Sequence, residues 1–398
     1  MKPNKNWHYS FLYSLVLLVP FDLLASLGMD LYLPALNDIG KYYNVGRNEV
    51  QLTLTIYMAL LGFGQLIFGP LADKYGRRPI AIMGVSLYAL SSLAIPLSQE
   101  FECFMALRIL QSFSASAILA AAFTTVRDIF YDKEDGIVVY AIMGSVLALV
   151  PAIAPLLGAL IEKKWHWQGI FYVLGSLSSI IAIHTFLKWH ETRPSTTQPF
   201  HFDRLLAIVG SKTFIGYTLS YATAMGTFFS YFSISPSLLI DNVGLDKIEF
   251  SLWFGSVAIM MIITTKFVKR LVKRWGTEGT VFRGLAGLFV SGFTLYLCEW
   301  IWGVTLFGFM LPMYLIGINI ALICSVSTNG ALRAFSSSAG LATALYYALE
   351  SLYLSIMVST LVKLIPSDTS SVISIYIFTS SIISILFILW GQNSREGN

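Results

Sequence analysis

The chain of 398 residues is 56% hydrophobic and only 12% charged, with 26 lysines and arginines against 22 acids and a net charge of +4; its mean hydropathy is +0.70. Soluble domains carry about 25% charged residues, so this composition excludes a water-soluble domain and implies an integral membrane protein, which the spans below make all-α. The basic residues are sorted among loops, which gives no footprint for a nucleic-acid partner. The three cysteines, Cys103, Cys298 and Cys324, have no metal-like spacing and suit neither a disulfide framework nor a zinc site.

A helix that crosses about 30 Å of hydrocarbon needs about 20 apolar residues. Twelve such spans are predicted, at 11–33, 50–72, 80–98, 102–126, 137–161, 167–189, 213–237, 249–268, 279–299, 304–328, 338–363 and 370–391. The first follows a basic leader (Lys2, Lys5) and shows no convincing cleavage site, so a retained anchor is expected rather than a signal peptide. An even number of spans puts both termini on one side. The loops on the N-terminal side hold eighteen basic residues against six on the other. The positive-inside rule then places both termini of this multi-pass protein in the cytoplasm.

The longest polar break, 190–212, contains Pro194, Pro199 and a Ser-Thr-Thr run. It predicts a cytoplasmic linker between an N-terminal six-helix bundle at 1–189 and a C-terminal one at 213–398. The halves echo each other: Leu71-Ala-Asp-Lys-Tyr-Gly76 after the second span recurs as Leu271-Val-Lys-Arg-Trp-Gly276 after the eighth, an offset of 200. A parallel repeat of two six-helix halves suits a transporter that rocks two bundles about a central site.

The first span carries two carboxylates, Asp22 and Asp30, which form an i, i+4, i+8 stripe with Ser26 rising ~12 Å along the helix. An acid at membrane depth is costly and is normally turned to a partner or a polar cavity; capping a helix end or neutralising an arginine is the alternative role. Asp30 lies near the outer end of the span, where water is expected to reach it. The fourth span places Arg108 about two turns inside the membrane, above a polar stripe of Gln111, Ser112 and Ser116. Either a span-one acid is its partner, or its long stem snorkels to the outer interface. Between spans two and three stands Gly69-Pro-Leu-Ala-Asp73-Lys-Tyr-Gly76-Arg77-Arg78. There Gly76 permits a tight turn, Arg77 is placed to pair with Asp128, and Asp73 is placed to face the N-terminus of span eleven at Ser336, Ser337 and Ser338. Span five holds Pro151 and Pro155, which bend a helix, and Gly158, which lets a neighbour approach. Glu350 in span eleven is either a second protonation site or an acid buried neutral or bonded to Tyr346 or Tyr347. Phe228 and Tyr231 in span seven either line a cavity or pack. No histidine cluster and no nucleotide loop is present in the sequence, so no cofactor or metal is expected and ATP is not the energy source.

These residues resemble the motifs of the major facilitator superfamily. Residues 69–78 fit its G-x-L-A-D-x-x-G-R-R loop. Arg108 and Gln111 fit R-x-x-Q-G, with Ser112 where glycine is usual. Pro155 and Gly158 fit G-P-x-x-G-G, with Ala154 and Ala159 replacing glycines. Pro20-Phe-Asp22-Leu-Leu-Ala-Ser26-Leu-Gly-Met-Asp30-Leu-Tyr-Leu-Pro-Ala35 looks like the bicyclomycin/chloramphenicol-resistance branch and its chloramphenicol and florfenicol exporters. Trp189-His-Glu-Thr-Arg-Pro194, Gly226-Thr-Phe-Phe and Asn329-Gly-Ala extend that similarity.

The resemblance implies a monomeric drug/proton antiporter that exports phenicols by alternating access, driven by the proton gradient. It implies coupling through Asp22 and Arg108; Asp30 is a further coupling candidate, as is Glu350, which lies outside the family pattern. Substrate is expected against Asp22, Ser26, Arg108, Gln111, Phe228 and Tyr231. Gly69, Asp73, Gly76, Arg77, Arg78 and Asp128 are expected to form a gating latch. The rival readings are a broader multidrug/proton antiporter and a proton-coupled nutrient symporter on the same fold. An enzyme would need converging nucleophile, base or metal ligands, and the sequence has none.

Overall fold

The computed structural model describes residues 7–130, 134–193, 202–335, 339–365 and 369–396. The chain separates into two compact units, Met1–Pro199 and Phe200–Asn398.

In the first unit, Ser10 starts α1 (Phe11–Asp30) by accepting the Tyr13 N–H at 3.3 Å. A 3₁₀ turn at Leu33–Ala35 leads into α2 (Leu36–Tyr43), which ends at Asn44 in the left-handed region. The long helices α3 (Arg47–Tyr75) and α4 (Arg77–Ala94) are joined at Gly76 alone. Its φ of +110° is one that a side chain rarely adopts, which explains glycine at the turn. Next come α5 (Phe101–Ile129) and α6 (Glu134–Lys188), the latter broken at Trp165 and His166. Helix α5 packs against α1, α3 and α4, and α6 packs against α1 and α4. Small residues set these distances: a Cβ at Gly84 of α4 would press on Ala117 and Ile118 of α5.

The second unit contains α7 (Phe202–Val209), α8 (Lys212–Pro236), α9 (Lys247–Trp302, broken at Gly276), α10 (Leu306–Leu332), α11 (Ala339–Leu364) and α12 (Ser371–Glu396). Helix α7 lies inside the 190–212 segment expected to be a linker, so part of that segment is helical, and it packs on α8 and α11. Asp246 and Glu249 form a reciprocal capping box at the start of α9. Gly276 takes a φ of +71°, so the sequence echo between residues 71–76 and 271–276 is also an echo of backbone shape.

Nine helical segments among the described residues are long and apolar enough to cross a membrane. Two of them, in α6 and α9, are each folded into two crossings at their breaks. Helix α8 supplies the twelfth crossing, although its serines and threonines lower its hydropathy. Its hydroxyls are turned inward: Thr218, Ser220, Thr223, Thr227 and Ser230 each donate to the carbonyl four residues earlier at 2.7–2.9 Å. Each of these five hydroxyls is thereby satisfied within its own helix.

Candidate functional site

Arg108, in the first third of α5, is buried at 1% exposure. Its Nη1 donates to the Gly28 carbonyl at 2.9 Å and to Gln111 Oε1 at 2.5 Å. The guanidinium also lies over the rings of Tyr32 (4.3 Å), Tyr57 (4.6 Å) and Phe171 (5.7 Å). Gln111 is fixed in turn, donating through Nε2 to Ser92 Oγ at 2.7 Å, and Ser92 donates to the Tyr88 carbonyl. Tyr57 and Tyr88 donate to the Ala25 and Leu24 carbonyls of α1 at 3.0 and 2.8 Å. Gly28 has no room for a side chain, since a Cβ there would run into both tyrosine hydroxyls.

This geometry overturns the expectation that a span-one acid pairs with Arg108. Among the described residues, no carboxylate lies within 4.0 Å of its guanidinium. Gly28 belongs to the last turn of α1, where carbonyls lack intrahelical donors and the helix end carries partial negative charge. That carbonyl, the Gln111 amide and the π faces take the place of a counter-ion. The helical period shows why the acids miss it. Asp30 is about 200° around the helix from Gly28, and Asp22 is about 9 Å lower.

Asp22 and Asp30 are each 1% exposed. All four carboxylate oxygens are buried without a hydrogen-bond partner, as are Nε and Nη2 of Arg108. Asp30 is therefore not the hydrated acid expected near the outer end of the span. Ser26, on the same stripe, is also buried. Gly158 of α6 packs so tightly on the end of α1 that a Cβ would fall on the Leu31 carbonyl oxygen. The close approach expected of this glycine is thus made to α1. Pro155 and Pro151 lie about one and two turns before it on the same helix.

Arg108→Lys should lower transport by about an order of magnitude at equal membrane abundance. An ammonium keeps the charge but loses the planar fork and most of the ring contact, which is worth ~2 kcal/mol when desolvated. Uptake equal to that of the parent would show that the cage is only structural packing.

At the other end of the first unit, Arg77 is fully buried. Its Nε donates to Asp128 Oδ2 at 2.9 Å, as the sequence suggested, and its Nη2 lies 2.6 Å from Asp73. Arg127 approaches Asp73 and Asp128 at 3.6 and 3.7 Å. Asp73 therefore has two arginine partners within its own unit; Ser336–Ser338, its expected neighbours, lie outside the described residues. Arg78 Nη2 donates to the Phe186 carbonyl of α6 at 3.0 Å. Gly69 meets open space, so no close contact explains a glycine there. Sequence reasoning missed Arg127 and Glu191. The Glu191 carboxylate accepts the backbone N–H groups of Arg77 (2.9 Å) and Arg78 (3.2 Å). The available signal was the Trp189-His-Glu-Thr-Arg-Pro194 stretch, an acid and an arginine where α6 runs out.

In the second unit, Glu350 is 4% exposed. Its Oε2 accepts from Ser351 Oγ at 3.0 Å, rather than from Tyr346 or Tyr347; the Tyr346 hydroxyl instead faces Thr328 at 3.4 Å. Phe228 and Tyr231 belong to a packed aromatic cluster. Tyr231 stacks on Phe254 at 4.7 Å, and Phe228 meets Phe232 at 4.8 Å.

Residues 22–359 match the Major Facilitator Superfamily. The chain is 41% identical over 377 residues to a chloramphenicol resistance protein of Pseudomonas aeruginosa, covering 94% of this chain and 90% of that one. It is 30% identical over 281 residues to a bicyclomycin resistance protein homolog of Haemophilus influenzae, covering 69% and 70%. Among solved structures, a POT family transporter in complex with 5-aminolevulinic acid superposes with a TM-score of 0.77 at 11% identity, covering 98% of each chain, a likeness of fold alone. A matched family over most of the chain, a relative of 41% identity and membrane-crossing helices lead to one assignment: this multi-pass membrane protein belongs to the Major Facilitator Superfamily and is a transporter, not an enzyme.

Proposed function

We propose that the protein exports phenicol antibiotics, chloramphenicol and florfenicol, in exchange for protons, by alternating access across a bacterial cytoplasmic membrane with both termini inside. The supporting observation is a buried site with separate, unfilled hydrogen-bonding capacity of both kinds. Asp22 offers two acceptor oxygens without a donor, and Arg108 offers Nε and Nη2 without an acceptor. A neutral phenicol carries hydroxyl and amide donors together with nitro and carbonyl acceptors, and needs no net charge to be neutralised. The name of the Pseudomonas aeruginosa relative points to the same substrate class.

A bond from a drug hydroxyl to an ionised Asp22 is strengthened by the charge. A proton arriving from outside competes for the same oxygens and releases the drug; loss of that proton to the cytoplasm resets the site. Exchange of one proton for a neutral molecule moves one charge, so the membrane potential contributes about 2.3 kcal/mol per 100 mV. Ser26 and Gln111 flank the site, and Asp30 and Glu350 are further proton carriers. The Asp73–Arg77–Asp128 network serves as the cytoplasmic latch.

Expression in a host stripped of its own exporters should raise resistance to both phenicols, and a protonophore should abolish the gain. Inverted vesicles should accumulate chloramphenicol when energised. Export that persists in de-energised, ATP-replete vesicles would refute proton exchange. Uptake in the opposite direction would favour a nutrient symporter, and equal resistance to unrelated drugs would favour the broader multidrug reading.

A further inference from the structure

The turn between α3 and α4 lacks a cap of its own. Gly76 has no side chain to receive the first N–H groups of α4, and no local side chain does so. A segment more than a hundred residues later supplies the cap. Glu191 Oε1 accepts the N–H of Arg77 at 2.9 Å, and its Oε2 accepts that of Arg78 at 3.2 Å. Oε1 also receives the N–H groups of Thr192 (3.0 Å) and Arg193 (2.8 Å), which fold the segment around the carboxylate. Arg193 Nη1 donates to the Lys74 carbonyl at the end of α3. An acid thus sits on the positive start of one helix and a base on the negative end of the other, each sign matching its dipole. Gly76 is so close to this carboxylate that a Cβ would collide with it.

The segment is itself anchored. Trp189 is buried, with its ring 5.0 Å from Phe21 and 6.0 Å from Trp7. Thr192 Oγ1 donates to Thr125 Oγ1 of α5 at 3.5 Å. The clamp therefore holds the backbone of Arg77, whose side chain is the centre of the Asp73–Asp128 network.

We propose that Glu191, with Arg193, is a positioning residue of the transport cycle: the start of the interdomain segment clamps the α3–α4 turn and sets the geometry in which Arg77 engages Asp73 and Asp128. This rests on the reading of that network as a latch. A glutamine at 191 cannot substitute, because one of its two terminal atoms is a donor facing backbone donors.

The test uses the full-length protein in proteoliposomes with Glu191→Gln, Asp73→Asn and the double variant. Hydrogen exchange across residues 74–80 needs no substrate and reads the clamp directly: the Arg77 and Arg78 amides should exchange about tenfold faster in Glu191→Gln. Chloramphenicol transport reads the latch. Vmax should fall about tenfold while KM and equilibrium binding stay within about twofold. On the Asp73→Asn background, Glu191→Gln should cost less than about twofold more, because both act on one element.

Unchanged exchange rates, a parental Vmax, or rate losses that multiply in full would each overturn the clamp. An Asp73→Asn protein as fast as its parent would remove the latch reading and the clamp's role with it. A parent that carries no chloramphenicol while the exchange result holds would refute only the substrate. If Glu191→Gln does not accumulate, Arg193→Gln removes the contact to Lys74 alone and should lower Vmax about threefold with binding intact; a parental Vmax there would overturn the proposal.

Discussion

Asp22→Asn is expected to abolish drug-driven proton exchange while leaving a folded protein in the membrane. The substitution keeps the shape and removes the titrating group. Because Arg108 is held by Gly28, Gln111 and three rings rather than by Asp22, loss of this carboxylate strands no buried arginine. The usual penalty for breaking a buried ion pair therefore does not apply. What disappears is the charge-assisted acceptor, worth ~1.5–3 kcal/mol, or roughly ten- to a hundredfold in drug affinity, together with the proton that must compete for it. Asp22→Glu retains both functions on a longer stem and should keep partial activity. The measurement is proton release on adding chloramphenicol to purified protein in weak buffer. If Asp22→Asn still releases a proton, coupling runs through another acid, and Glu350 or Asp30 is the next to replace.

Gly158→Ala is expected to be the most damaging single methyl group in the first unit. Its Cβ would occupy the position of the Leu31 carbonyl oxygen, a backbone atom that cannot swing aside. Separating α1 from α6 enough to admit it costs about 1–3 kcal/mol by the usual scale of overpacking. The function should suffer more than the stability. Leu31 stands between Asp30 and Tyr32, and Tyr32 is a wall of the Arg108 cage. A shift of about 1 Å there misplaces the groups proposed to meet the drug, and displacements of that size cost about a hundredfold in comparable sites. Thermal unfolding in detergent should show a clear drop for Gly158→Ala. Gly69→Ala, whose Cβ would meet nothing, should unfold with its parent. Equal melting of all three proteins would mean that the α1–α6 contact is looser than drawn.

The spans were legible because hydrocarbon thickness leaves a direct trace in chain composition. The turn at Gly76 was legible because few residues tolerate its backbone angle. Burial of Arg108 could be read from its depth, but its partner could not. The partner is a main-chain carbonyl freed by the end of α1, and no residue type marks such a group. The same limit hid the role of Glu191, whose principal partners are amides 113 and 114 residues away. For Asp30 the error had a different source: distance from the membrane centre is a poor guide to hydration where neighbouring helices close over a side chain.

Helix α8 presents a problem of biosynthesis. None of its residues is exposed, and its main packing partners, α10, α11 and α12, follow it in the chain. Its first residues emerge too polar to prefer lipid strongly, and the surfaces that will enclose them do not yet exist. Synthesis at about 5–20 residues per second would leave it waiting roughly 10–30 s before α12 is made. During that interval α8 must be held by the insertion machinery or rest at the membrane surface. A chain cut short before Ser371 should therefore leave α8 accessible to water-soluble reagents, although it contains every residue of that helix.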